Sequence, residues 1–168
     1  ADFSANGGPL IDLHIHDVDF MLYLLGKPKR VAAIGRRQGN AVVYVSTIYD
    51  YGNGPSVSCQ SGAVVMSGRP FLHGFEACFE RATVTFAQAT EPVENESTAG
   101  RSASHVLSVY DVEGGVSFPD LPVSDSFVAQ LKNVVQCVSQ DKPSQIIGAV
   151  SARDSLALVH LEDEAIRQ

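Results

Sequence analysis

The segment from Asn6 to Pro28, NGGPLIDLHIHDVDFMLYLLGKP, constrains this chain more than any other. Ionisable side chains recur there at regular spacing inside an apolar frame. Gly7-Gly8 permits a tight turn, Pro9 suits a first helical position, Gly26 is a helix stop, and Pro28 follows it. Ile11, Ile15, Val18, Leu22 and Leu25 recur at helical spacing and predict one apolar face. Asp12, His16, Asp19 and Tyr23 fall at i, i+4, i+7 and i+11 and predict a polar stripe. Asp12 and His16 stand one turn apart. A histidine with a carboxylate neighbour is the usual material of a general acid/base, because the carboxylate orients the ring and holds its tautomer. The same stripe also fits the solvated face of an ordinary amphipathic helix.

A second reading takes Leu10 to His16 as a strand, with Asp12, His14 and His16 on one side and Ile11, Leu13 and Ile15 on the other. A His-x-His at a strand end can hold a catalytic metal in barrel-type hydrolases. Such barrels run to about 250 residues, and this chain has 168. The remaining histidines, His73, His105 and His160, form no ligand cluster in the sequence. No metal site is expected.

Length and composition describe one globular domain with a real core: 45% of residues are hydrophobic and 18% charged. The net charge of −7 and the absence of a basic patch argue against nucleic acid as a partner. The apolar run Phe20 to Leu25 is far short of a membrane span, and no signal peptide is visible. Cys59, Cys78 and Cys137 are scattered and form no Cys-x-x-Cys, which fits buried free thiols in a reducing cytoplasm. Asn95-Glu96-Ser97 matches a glycosylation acceptor, which we read as chance. Ala1 to Ser4 gives no element of its own, so the chain reads as a domain cut from something longer.

Strand-like runs follow the first helix: Arg30–Arg37, Ala41–Tyr51, Ser56–Met66, Phe71–Phe79 and Ala82–Ala87, joined by short turns. Val57, Cys59, Ser61, Ala63 and Val65 share one side of the third run, and Phe71, His73, Phe75, Ala77 and Phe79 one side of the fourth. This is an antiparallel meander. Residues 88–104 are polar and read as a loop, and His105–Asp111 as a last strand. Two helices close the chain. One runs from about Ser124 to Ser139, with Phe127, Leu131, Val134, Val135 and Val138 on one face. The other starts at Ser151, with Leu156, Val159 and Ile166 inward and Glu162-Asp163-Glu164 outward. The expected fold is therefore α+β, an open and mainly antiparallel sheet with helices on one face. A second subunit is the cheapest cover for the other face, which predicts a homo-oligomer.

The stretch Gly7-Gly8-Pro9-Leu10-Ile11-Asp12, followed by His16-Asp17-Val18-Asp19 and Leu25-Gly26-Lys27-Pro28, resembles the start of the second domain in the glucose–fructose oxidoreductase/inositol dehydrogenase (Gfo/Idh/MocA) family. The layout agrees too, since Val123–Pro143 and Val150–Arg167 are similar to the last two helices of that domain. The resemblance implies a dihydrodipicolinate-reductase-like C-terminal domain of an oxidoreductase that uses NAD or NADP to oxidise the CH–OH group of a sugar, polyol or related compound. It implies His16 as general acid/base and Asp12 as the residue that orients His16 or holds a substrate hydroxyl. His14 is left a structural or rim role, and Asp19 and Tyr23 packing or capping hydrogen bonds. The family's nucleotide-binding domain, with its Gly-rich turn and Glu-Lys-Pro motif, has no counterpart in this sequence. Gly52-Asn53-Gly54-Pro55 does not fit that turn, because no helix follows. The expectation is a single substrate-binding and oligomerisation domain over residues 1–168, inactive alone. The runners-up are a non-catalytic module of the same fold and the His-x-His metal hydrolase.

Overall fold

A computed structural model describes residues 7–63, 69–90, 105–121 and 125–167. The chain divides into two compact units, one made of Ala1–Val65 with Ser126–Gln168 and the other of Met66–Asp125. The acceptor-like Asn95-Glu96-Ser97 and most of the polar loop lie outside the described residues.

In the first unit, Gly7 and Gly8 both take positive φ, 76° and 81°, the left-handed turn that glycine allows. A π-helical turn, Leu10–His14, then runs straight into α1, Ile15–Leu25. Gly26 ends α1 at φ 71°, its N–H bonded to the Leu22 carbonyl at 2.9 Å. The segment is helical throughout, so the strand reading of Leu10–His16 is overturned. The apolar face is also rotated from the expected one. Leu10, His14, Val18 and Met21 are buried, Ile11, Ile15 and Leu22 pack at its margin, and Leu25 is exposed. The wider π-turn shifts the register before α1 begins.

Three antiparallel strands follow: β1 (Arg30–Gln38), β2 (Ala41–Asp50) and β3 (Ser56–Gly62), in the order β1-β2-β3. Alternation sets the inner face of β2 as Val43, Val45, Thr47 and Tyr49, all buried, while Tyr44 and Ile48 are exposed on the outer face. The register sets Thr47 beside Cys59 and Val45 beside Ser61, so Cys59 and Ser61 join that inner face, as the sequence pattern of β3 predicts. Helix α3, Ala149–Arg167, lies on β1 and α1. Its approach to the sheet is close at Gly35, where an added Cβ would sit 2.6 Å from the Tyr44 carbonyl oxygen and 2.9 Å from Ile166 Cδ1. Arg37 of β1 bonds Asp163 of α3 at 2.5 Å, and Lys27 beyond α1 bonds Asp154 of α3 at 2.7 Å.

Two expectations for the helices fail. Glu162 does not face outward: it is buried on the face of α3 shared with Ser155, Leu158 and Val159. The face runs 155, 158, 159 and 162, so the helical period carries one charged residue inside. Helix α2, Ser126–Gln140, buries none of its described residues, and its apolar stripe is exposed, with Phe127 at 74% and Val138 at 76%.

The second unit is the antiparallel sheet β4 (Phe71–Cys78), β5 (Ala82–Thr90), β6 (His105–Asp111) and β7 (Val116–Ser117). The strands are thus shared between two sheets within an α+β fold. Phe71, His73, Phe75 and Phe86 make one aromatic face, with Phe75 and Phe86 stacked at 5.8 Å. The cysteines are free, but Cys78 is exposed and Cys59 and Cys137 only half-buried, which corrects the expectation of buried thiols. Among the described residues no helix is long and apolar enough to cross a membrane.

Candidate functional site

The N-terminal helix presents two polar faces. The inner one carries His14, which lies in the core with no solvent exposure. The inner face of the sheet brings it Tyr49, Cys59 and Ser61, and α3 brings it Glu162. Its Nδ1 is 2.8 Å from Ser61 Oγ and 3.9 Å from Cys59 Sγ. Its Nε2 is 2.9 Å from Glu162 Oε2 and 3.4 Å from the Tyr49 hydroxyl. The Tyr49 hydroxyl donates to Glu162 Oε1. Glu162 Oε2 makes no aligned hydrogen bond among the described residues, so its contact with His14 is one of charge and proximity. Ser61 Oγ donates to Asp17 Oδ2 at 2.5 Å, and Asp17 reaches the surface with its side chain 45% exposed.

This cluster brings two carboxyl groups to one histidine, and apart from Asp17 it is largely buried. Burial, and then the Glu162 carboxylate, push the Tyr49 hydroxyl far above its ordinary range, so it stays a donor. Burial, and then Asp17, push the Cys59 thiol up to about 12, so it stays protonated. Burial of this kind excludes a rim position for His14.

The outer face carries Asp12 and His16, both exposed. Helical spacing sets them on one side of the helix, one turn apart, across the junction of the π-turn and α1. His14 and His16 therefore point opposite ways and do not form a shared metal pair. Asp19 accepts a hydrogen bond from Ser155 at 2.7 Å, the packing role expected of it. Tyr23 is exposed and lines a groove of about 320 Å³ with Leu22, Lys27, Ile146 and Asp154, near the far end of α1.

Sequence reasoning named Asp12 and His16 but not the inner cluster of Asp17, Tyr49, Cys59, Ser61 and Glu162. Two signals pointed to it. Leu10, His14, Val18 and Met21 are spaced 4, 4 and 3, a helical face containing one histidine. Ser155, Leu158, Val159 and Glu162 are the same kind of face containing one glutamate.

A sequence model of the GFO/IDH/MocA C-terminal domain matches residues 1–86. No curated protein matches the sequence. Among solved structures, the chain is similar to the UDP-N-acetylglucosamine 3-dehydrogenase GnnA from Acidithiobacillus ferrooxidans, at TM-score 0.74 and 18% identity over 97% of this chain and 48% of that one. It is similar to an oxidoreductase from Agrobacterium radiobacter in complex with NAD+, L-tartaric acid and magnesium, at TM-score 0.70 and 16% identity over 97% and 49%. It is also similar to an oxidoreductase from Bacillus cereus, at TM-score 0.60 and 14% identity over 95% and 48%. The chain spans about half the length of these structures, and at such identities the likeness is one of fold.

Proposed function

This chain belongs to the GFO/IDH/MocA family through its C-terminal domain, and on that premise we propose that it forms the substrate side of an NAD(P)-dependent oxidoreductase acting on a hydroxylated small molecule. The observation that carries the reading is the separation of two histidines: His14 is sealed in the core while His16 is open to solvent one helical turn from the exposed Asp12. The names of two similar structures point to the substrate class, one a UDP-N-acetylglucosamine dehydrogenase and one bound to L-tartaric acid. A sugar, a polyol or a related hydroxylated compound fits a site made of a carboxylate and an imidazole.

The described residues do not fit a dinucleotide. Their strands pair antiparallel, with no parallel switch point and no glycine-rich turn leading from a strand into a helix. A nicotinamide held outside these residues would supply the hydride acceptor. The work of this chain is proton transfer and positioning. His16 accepts the substrate hydroxyl proton as the carbon is oxidised and returns it in the reverse direction. Asp12 orients the imidazole or holds a neighbouring hydroxyl. The buried network behind His14 fixes the helix that carries both. The exposed Ile34, Tyr44 and Ile48 on the outer face of the first sheet support association of copies through that face. The three free cysteines fit a cytoplasmic setting.

The test is His16→Ala in the intact protein, assayed with NAD+ and NADP+ against sugar nucleotides, hexoses, inositols and hydroxy acids. Turnover should fall by about 10²-fold or more with folding unchanged. An unaltered rate removes His16 from the mechanism.

A further inference from the structure

We propose that His14, Asp17 and Cys59 form a binding site for a single zinc ion, with Glu162 as the outer-shell carboxylate behind the histidine. The proposal does not rest on the oxidoreductase reading and uses neither Asp12 nor His16.

The three donors come from two elements that meet at one point. His14 and Asp17 lie one turn apart on the N-terminal helix, and Cys59 projects from the inner face of β3. One ring nitrogen of His14, one carboxylate oxygen of Asp17 and Sγ of Cys59 all lie within 4.8 Å of one another. The nitrogen is 3.9 Å from the sulfur and 3.9 Å from the carboxylate oxygen. Ligands of a tetrahedral zinc ion are separated by about 3.3–3.6 Å, given Zn–N, Zn–O and Zn–S lengths of about 2.0–2.3 Å. Closing the tripod therefore needs side-chain shifts of about 1 Å or less.

The donor types select the metal. A thiolate, an imidazole and a carboxylate suit a borderline-soft cation such as zinc, whereas magnesium and calcium take oxygen ligands. The second shell is in place too. Glu162 Oε2, fully buried and without an aligned hydrogen bond among the described residues, sits 2.9 Å from His14 Nε2. Nε2 faces that carboxylate while Nδ1 faces Cys59 and Asp17, so the ring is oriented for the usual carboxylate–histidine–metal order. Among the described residues no lysine or arginine stands in ion-pair range of Asp17 or Glu162; each pairs with His14. A dication supplies the positive charge this arrangement lacks.

Ser61 explains how the site closes without metal. Its hydroxyl bridges His14 Nδ1 at 2.8 Å and Asp17 Oδ2 at 2.5 Å, so a hydrogen-bonding hydroxyl lies between two of the donors. On binding, zinc takes the place of the proton that His14 Nδ1 gives to Ser61 and of the Cys59 thiol proton, both of which pass to the buffer, and the Asp17 oxygen joins as the third ligand. The hydrogen bonds of Ser61 are then broken. The half-exposed Asp17 side chain is the way in.

The experiment uses the intact protein, stripped with a chelator and then titrated with Zn2+ alone and with Co2+ alone. We expect one zinc per chain and, for cobalt, a thiolate-to-metal charge-transfer band. Cys59→Ala should abolish that band. Asp17→Asn, at a half-exposed position that leaves the core intact, should weaken zinc by about 10²-fold or more, and Glu162→Gln by about 10- to 100-fold. Ser61→Ala should bind zinc at least as well as the parent. The proposal is overturned by three results: no stoichiometric zinc, a cobalt spectrum without the thiolate band, or binding unchanged in both Asp17→Asn and Cys59→Ala.

Discussion

His14 and His16 stand two residues apart on one helix and meet opposite surroundings. His14 is enclosed by a sheet, a second helix and two carboxylates; His16 faces solvent, one helical turn from Asp12. The difference follows from the backbone. A helix turns neighbouring side chains about 100° per residue, and the π-turn at Leu10–His14 sets which of the two looks inward. Burial also divides the tasks. A ring held between Ser61 and Glu162 cannot swing to meet a substrate, and an exposed ring adds little to stability.

That contrast can be broken from the inside first. Glu162→Ala leaves His14 and the Tyr49 hydroxyl facing a cavity, and should cost about 3–5 kcal/mol of stability, read as a large drop in melting temperature of the intact protein. The outer face gives the mirror image. His16→Ala should cost about 2.7 kcal/mol of barrier height, the equivalent of 10²-fold in turnover, while the melting temperature stays at the parent value. If both changes moved both readouts together, the division of labour would be wrong.

Tyr49→Phe sharpens the account with a smaller effect. It removes the donor to Glu162 Oε1 and leaves that oxygen buried, so a loss of about 1–3 kcal/mol is expected in thermal unfolding. The smallest effect concerns α3 at the sheet edge. Burial raises the Asp163 carboxyl, but the guanidiniums of Arg167 and Arg37 outweigh it and hold the group below its ordinary range. A carboxylate depressed in the folded state adds stability at pH above its unfolded value and loses it as pH falls through the folded value. Acid melting curves should therefore show a low-pH loss that Asp163→Asn removes. Parallel curves for the two proteins would show that the pair contributes nothing.

The segments most legible in sequence were those with strong punctuation. Gly7-Gly8, Gly26 and Gly39 mark real boundaries, all at positive φ, and the strand runs 30–38 and 41–50 differ from expectation by a residue at most. Alternation in β3 put Val57, Cys59 and Ser61 on one side, and the register agrees. The inner cluster was legible only by counting periods, and that signal was weak for a physical reason. A π-turn adds part of a residue to the helical period without any compositional mark, so the buried set shifted from Ile11 and Ile15 to Leu10 and His14. Glu162 was hidden by its neighbours, because a Glu-Asp-Glu run reads as solvated unless the period is counted back through Val159 and Ser155. Helix α2 misled in the other sense. Its stripe of Phe127, Leu131 and Val138 predicts burial, and the structure leaves it exposed.

The most direct test of the central claim is a crystal structure of the intact protein with NAD+ bound. The account predicts the His16 imidazole facing the nicotinamide ring across a space the size of one substrate, with Asp12 beside it and His14 still enclosed by Glu162 and Ser61. A structure in which His16 turns away from the nicotinamide, or in which His14 lines the substrate space, would contradict it.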